Sequence, residues 1–223
     1  MLKLCAFIPL KNNQTINKKQ QYEFLRAGSW QRNLNISLEP FYCHDCERDS
    51  YQLLPNKTFA LFESVNDDCD VILKMDSDAM ICLNKIEPNL FSRFMYAGRL
   101  GSSVPSMTLM NNELRKTRNI EAYNMQRKKL LPEFKFASGT GYLLGKNVLQ
   151  EILKRKRTSY IDTGFEDVNT GLFVSNLRNI NYGNLNGSDK HCNTENTVIH
   201  HRCSKFSNIC SRKKKNYGLS GIS

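Results

Sequence analysis

A chain of 223 residues, 40% hydrophobic and 24% charged, has the length of one medium-sized domain with its own core and a composition outside the disordered range. Its formal net charge of +11 sets up a field that favours polyanions: nucleic acid, acidic membrane surfaces or phosphorylated small molecules. No stretch approaches the roughly 20 apolar residues of a membrane span. Leu2 to Leu10, interrupted by Lys3 and Pro9, is too short and too polar-flanked for a signal peptide, so the sequence shows no address of its own.

In chain order, Leu4 to Leu10 reads as a buried first strand. A polar, helix-friendly stretch runs from Asn17 to about Ala27, followed by Gly28 and Trp30. Ile36 to Tyr42 reads as a second strand, Asp49 to Pro55 as a turn-rich connection, and Lys57 to Val65 as a helix with Phe59, Leu61, Phe62 and Val65 at helical spacing. The clearest strand is Asp70 to Met75, an apolar run bounded by carboxylates. Ile86 to Phe94 is expected to be a helix. The polar stretch from Gly98 to about Lys129 gives no periodic signal. Phe134 to Leu144 is expected to be a strand around a Gly-rich turn. Val148 to Lys156 reads as an amphipathic helix and Asp167 to Leu177 as another. Strands alternating with helices imply an α/β domain over residues 1–211, with its ligand at the C-terminal ends of the strands. Residues 212–223 form a basic tail.

The chain has eight cysteines. Cys43 and Cys46 make an isolated Cys-x-x-Cys. Cys192, Cys203 and Cys210 lie near His191, His200 and His201, and read as a loop stapled by one disulfide in an oxidising compartment, with a zinc site as the alternative. Four Asn-x-Ser/Thr triplets, at Asn13, Asn35, Asn56 and Asn186, are what an Asn-rich chain produces by chance. The basic runs Lys154–Arg157 and Arg212–Lys215 read as a helix end and a solvated tail.

Four segments could carry chemistry. Asp76 and Asp78 follow the strand Val71 to Leu73; in extended chain, residues two apart face one side, so both carboxylates can meet a hard divalent cation such as Mg²⁺ or Mn²⁺. Met80 and Ile81 exclude an EF-hand. Phe136 to Leu144 carries Gly139 and Gly141, whose lack of a side chain permits close backbone approach. Thr163 with Glu166 three residues on reads as a capping box, which sets Asp167 in the first helical turn as a candidate general base. After the short apolar strand Val198–Ile199 come His200 and His201, whose side chains point to opposite faces if extended, so one of them could bind a metal.

Taken in order, these segments resemble the β-1,3-galactosyltransferase family, glycosyltransferase family 31, which includes N-acetylglucosaminyltransferases and the more distant Fringe-like enzymes. Arg26 to Trp30 resembles its Arg-x-x-x-Trp element. Asp49, Ser50, Tyr51, Leu54 and Lys57 resemble its Asp-Ser-Tyr-x-x-Leu-x-x-Lys stretch, and Lys74 to Asp78 its Lys-x-Asp-Asp-Asp motif with Ser77 in the middle. Tyr96, Ala97 and Gly98 follow. Phe136 to Leu144 resembles the Ser-Gly-x-Gly-Tyr segment, Glu166, Asp167, Val168 and Gly171 the Glu-Asp-Val-x-x-Gly motif, and His201 with Arg202 the His-Arg element.

The resemblance implies a GT-A fold, a Rossmann-like mixed sheet flanked by helices. It implies an inverting hexosyltransferase that moves galactose or N-acetylglucosamine from a UDP-sugar to an acceptor hydroxyl on a glycoprotein or glycolipid, forming a β-1,3 linkage. It implies Mn²⁺ held by Asp76, Asp78 and His201, with Asp167 as base and Glu166 beside it. Arg26, Lys57, Lys74, Asp76, Gly139 and Gly141 are implied on the donor side. No nucleic acid is expected as partner. A Golgi or ER-lumen address, and any membrane anchor preceding the chain, are inherited from the family. Two other readings stand beside this one: a basic zinc-containing nucleic-acid-binding module built on the Cys/His cluster, and a catalytically inactive family member.

Overall fold

A computed structural model describes residues 2–10, 34–42, 54–65, 67–76, 78–102, 134–156, 165–189 and 197–201. The strands are β1 (Leu2–Leu10), β2 (Leu34–Tyr42), β3 (Val71–Met75), β4 (Ala79–Ile81), β5 (Met95–Ser102), β6 (Lys135–Gly145), β7 (Asn181–Asn184), β8 (Gly187–Asp189) and β9 (Ile199–His201). The helices are α1 (Leu54–Ser64), α2 (Lys146–Lys156) and α3 (Glu166–Ser175). The main sheet has six strands in the order β2-β1-β3-β6-β5-β7, and a smaller one has the order β4-β9-β8. In the main sheet β1 runs parallel to β2 and β3, and β5 to β7, while β6 is antiparallel to both β3 and β5. Five strands thus point their C-terminal ends to one rim, with β6 returning between them.

Strand alternation sorts the side chains into two cores. Leu4, Ala6, Ile8, Val71, Leu73, Met95, Ala97 and Leu143 pack on the face covered by the small sheet, with Ile81, Val198 and Ile199. Cys5, Phe7, Ile72, Tyr96, Tyr142 and Leu144 pack on the other face, against Phe59 and Phe62 of α1, Val148 and Ile152 of α2, and Phe173 of α3. Across the strand pair β1–β3, Cys5 and Cys69 form a disulfide that closes a 64-residue separation; in the chain-entropy account a loop of that length contributes roughly 4 kcal/mol. Cys82 is also disulfide-bonded.

Several expectations hold with shifted ends: the strands at 4–10, 36–42 and 70–75 and the three helices are present. Others do not. Ile86 to Phe94 is not a helix. A 3₁₀ turn at Leu83–Lys85 precedes it and another, Pro88–Leu90, lies within it, with Ile86 between them extended at φ −91°, ψ 131°. Proline has no amide proton and disfavours helical backbone before it, which breaks the pattern there. Phe134 to Leu144 does not reverse direction at a turn: β6 is one strand, and its glycine segment is where the pairing with β5 shifts register, from Gly98–Tyr142 to Leu100–Ala137. The unassigned stretch after residue 98 begins inside β5, whose central run pairs with β6 on one side and β7 on the other. The expected helix at 17–27, the C-terminal cysteine cluster, Cys43, Cys46 and the basic tail lie outside the described residues.

Candidate active site

Three elements meet at the sheet rim: the end of β3, the glycine-containing part of β6 and the start of α3. Alternation along β3 sends Val71, Leu73 and Met75 toward the small sheet, so Lys74 shares the helical face with Ile72. The Lys74 side chain is fully buried. Its Nζ donates to Glu166 Oε1 at 2.7 Å, to Asp76 Oδ1 at 2.9 Å and to the Gly139 carbonyl at 2.6 Å. An ammonium carries three protons, and each has an acceptor. Burial by itself would strip the Lys74 proton, but the Asp76 and Glu166 carboxylates outweigh it and hold the pKa above the ordinary lysine value.

Glu166 is buried. Its second oxygen accepts a hydrogen bond from the Tyr142 hydroxyl at 2.9 Å. That hydroxyl also lies 3.4 Å from Thr170 Oγ1, which donates to the Glu166 carbonyl at 2.8 Å. Burial, and then the Glu166 charge, push the Tyr142 pKa well above the ordinary phenol value, so the hydroxyl stays a donor. This corrects the capping-box expectation. The N-cap is Phe165, extended and without a side-chain cap bond, and Glu166 is the first helical residue. A capping glutamate stands three residues into the helix; from its start, Glu166 reaches the buried ammonium instead.

Asp167 follows on the same turn. Its Oδ2 accepts from the Gly139 amide at 3.0 Å and its Oδ1 from the Val168 amide at 2.9 Å. It is half-buried. Burial and the neighbouring Glu166 charge push its pKa up to about 7, against the pull of those amides and of Lys74. Gly139 is required here for space: a Cβ would stand 2.9 Å from Glu166 Oε1 and 3.5 Å from Asp167 Oδ2. Gly171, about one helical turn after Asp167, lets α3 lie directly on β6, since a Cβ there would come within 2.3 Å of Phe136 Cβ. Gly141 packs differently, with its Cβ position 2.9 Å from Ile81 Cδ1 of the small sheet.

On the other side of Lys74, the chain leaves β3 at Asp76. The Asp76 amide donates to the Thr140 carbonyl at 3.0 Å, and the Ala79 amide donates back to the Asp76 carbonyl at 3.1 Å. Asp76 and Asp78 therefore occupy the first and third positions of a turn, not successive same-face positions of an extended strand. Both carboxylates reach solvent: the Asp76 side chain is 37% exposed and Asp78 is exposed. Ala79, next to Asp78, is the register partner of His201 on β9, and Met80 is that of His200. The backbone thus brings His201 to the ladder position beside Asp78; its side chain lies outside the described residues. Carboxylate oxygens at a solvent-open turn are a donor set that fits Mn²⁺ or Mg²⁺. Among the described residues no group of three His, Cys, Asp or Glu side chains gathers as a metal site.

Lys57 is buried on α1, and Arg26 lies outside the described residues. The role of Tyr142 and the pairing of Cys5 with Cys69 come from the structure and not from the sequence alone. A tyrosine directly after a close-packed glycine, opposite a lysine in an apolar strand, is the available signal for the first; nothing in the cysteine spacing marks the second.

Residues 44–185 match the galactosyltransferase family model. The chain belongs to that family of glycosyltransferases. The matched span contains the whole rim cluster, Lys74 through Thr170, and the mixed sheet with its flanking helices is the α/β architecture expected from the sequence. No curated protein matches the chain. Among solved structures, similarity extends to a mutant Drosophila β-1,4-galactosyltransferase 7 in complex with manganese, UDP-Gal and xylobiose, at 11% identity and TM-score 0.38 over 68% of this chain and 52% of that one. The catalytic domain of the same enzyme with xylobiose is similar at 10% identity and TM-score 0.36, again over 68% and 52%. A glycosyltransferase involved in glycosylation of the major capsid of PBCV-1 is similar at 9% identity and TM-score 0.48, over 93% of this chain and 97% of that one. The chain spans about half the length of the Drosophila structures, and membership in the family rests on the match over residues 44–185.

Proposed function

We propose that this galactosyltransferase-family chain is an inverting hexosyltransferase that moves galactose or N-acetylglucosamine from a UDP-sugar to a sugar hydroxyl on a glycoprotein or glycolipid, forming a β-1,3 linkage. The observation that carries the reading is Asp167: a half-buried carboxylate fixed by two backbone amides, with its pKa at about 7, at the rim where Asp76 and Asp78 also stand. A general base works best with a pKa near the working pH and a fixed aim. Asp167 takes the proton of the acceptor hydroxyl as that oxygen attacks the anomeric carbon and UDP departs from the opposite face. One base and one displacement invert the configuration.

Asp76 and Asp78, with His201, would hold Mn²⁺. The ion would supply positive charge to the diphosphate leaving group. The net charge of +11 suits an anionic donor. The disulfide between Cys5 and Cys69 and the bonded state of Cys82 favour an oxidising compartment, in keeping with a Golgi or ER lumen address. Release of UDP from UDP-galactose and UDP-N-acetylglucosamine, measured with Mn²⁺ against a panel of glycan acceptors, tests the reading. Mn²⁺-dependent turnover that Asp167→Asn abolishes while UDP still binds is the expected result. Full activity in that variant would remove Asp167 from the role.

A further inference from the structure

We propose that Lys74, Glu166 and Tyr142 form a buried brace that sets the position of Asp167 relative to Asp76, making Tyr142 a positioning residue for transfer although it touches neither donor nor acceptor. The proposal rests on the function given above and adds how the two halves of the site are held in register.

The side chains of Asp76 and Asp167 belong to a turn and a helix that are far apart in sequence, and each is anchored through the same few atoms. Lys74 Nζ joins Asp76 Oδ1 to Glu166 Oε1 and to the Gly139 carbonyl. The Gly139 amide, on the same residue, joins Asp167. Tyr142 then fixes the remaining Glu166 oxygen. Each Lys74 proton already has an acceptor inside the protein, and Glu166 is buried with both oxygens engaged by protein donors, so neither side chain faces a substrate. Both residues therefore act on the reaction through Asp76 and Asp167. A buried ammonium with three fixed acceptors has one low-energy arrangement, because loosening any bond leaves a desolvated charge unpaired. A base displaced by as little as about 1 Å can lose about 10²-fold in rate.

The test uses the full chain in three variants. Tyr142→Phe keeps the ring in its apolar setting and deletes one hydrogen bond. Lys74→Met/Glu166→Leu replaces the charged pair with apolar groups of similar size, which buried pairs often tolerate. Glu166→Gln removes the charge beside Asp167. The brace predicts that Tyr142→Phe lowers kcat about 3- to 10-fold with KM for the donor unchanged, and that the double variant, folded by circular dichroism, lowers kcat by about 10²-fold or more. The groups facing Asp167 are Glu166 on its own helix, Lys74 from β3, Tyr96 from β5, and the Gly139 and Val168 amides. With Glu166 neutralised, the acid limb of the kcat–pH profile moves to lower pH, a change that loss of stability does not produce.

Unaltered kcat in Tyr142→Phe and in the folded double variant overturns the brace. So does a raised donor KM at constant kcat, which would place Lys74 on the nucleotide. Mn²⁺ titration in the presence of UDP gives a readout without turnover: the brace predicts weaker Mn²⁺ binding in the double variant, through the released Asp76, and unchanged binding overturns it. If the native chain binds Mn²⁺ and UDP but transfers no sugar, the proposed function fails, and this titration still decides the brace.

Discussion

Two polar regions of this molecule lie at the C-terminal rim and at the β7 edge of one sheet, and they are built on opposite rules. At the rim, charged side chains satisfy one another: Lys74 with Glu166 and Asp76, and Tyr142 with Glu166. At the edge, a cavity of about 510 Å³ is lined by Lys85, Glu87, Asn89, Asn181, Asn184 and Asn186 among others, and polar groups there satisfy backbone. Asn181 Nδ2 donates to the Leu90 carbonyl at 3.3 Å, Asn184 Oδ1 accepts from the Leu100 amide at 3.2 Å, and Lys85 Nζ donates to the Thr197 carbonyl at 2.9 Å. Mutual pairing of buried charges couples elements to one another and fixes distances across the site. Pairing with backbone stabilises one turn or strand at a time. Chemistry that needs two carboxylates at a set distance belongs in the first kind of region.

The contrast can be broken from its strongest point downward. Asp167→Asn should lower kcat about 10³-fold, within the range of a lost general base, with UDP binding retained by calorimetry. In the native chain the rate should fall tenfold for each pH unit below about 7, because the base must be ionised and its pKa stands at about 7; a flat profile between pH 5 and 7, as bounds set about that value, would separate Asp167 from the rate. Gly171→Ala should destabilise the fold by about 1–3 kcal/mol, the cost of overpacking, since the new Cβ would meet Phe136 Cβ at 2.3 Å. Its denaturant midpoint should drop, and activity should drop with it as α3 lifts away from β6.

A smaller effect concerns stability and pH. The folded Asp167 pKa of about 7 lies above the ordinary aspartate value of 3.8, so the group's stabilising contribution is complete below the lower value and is lost as pH rises through the higher one. Asp167→Asn, which cannot ionise, should therefore raise Tm at pH 8 by about 2–4 °C, the shift for about 1 kcal/mol in a chain this size, and change it little at pH 4. At the edge, Asn184→Ala should cost about 0.5–1 kcal/mol for one partly exposed hydrogen bond and leave the pH profile of transfer in place. A change in that profile would mean the two regions are coupled after all.

The apolar run Val71–Leu73 bounded by carboxylates and the helical spacing of Val148 to Leu153 were legible in the chain because they are local: strand and helix periods of 2 and 3.6 residues leave a direct mark on the order of side chains. The family resemblance was legible for the same reason, as short motifs in fixed order. The partner of Glu166 was not. Spacing to Thr163 suggested a cap, whereas its oxygens are taken by Lys74 and Tyr142, which are 92 and 24 residues away. The same holds for Cys5 with Cys69 and for the course of β6 as one strand whose pairing with β5 shifts register across its glycine segment. Local sequence thus determined the strands β1 to β3, the helices α1 to α3 and which residue types stand at their ends. Burial decided the rest, because a desolvated charge takes the nearest opposite charge in space, and which charge is nearest is set by how the sheet and α3 pack.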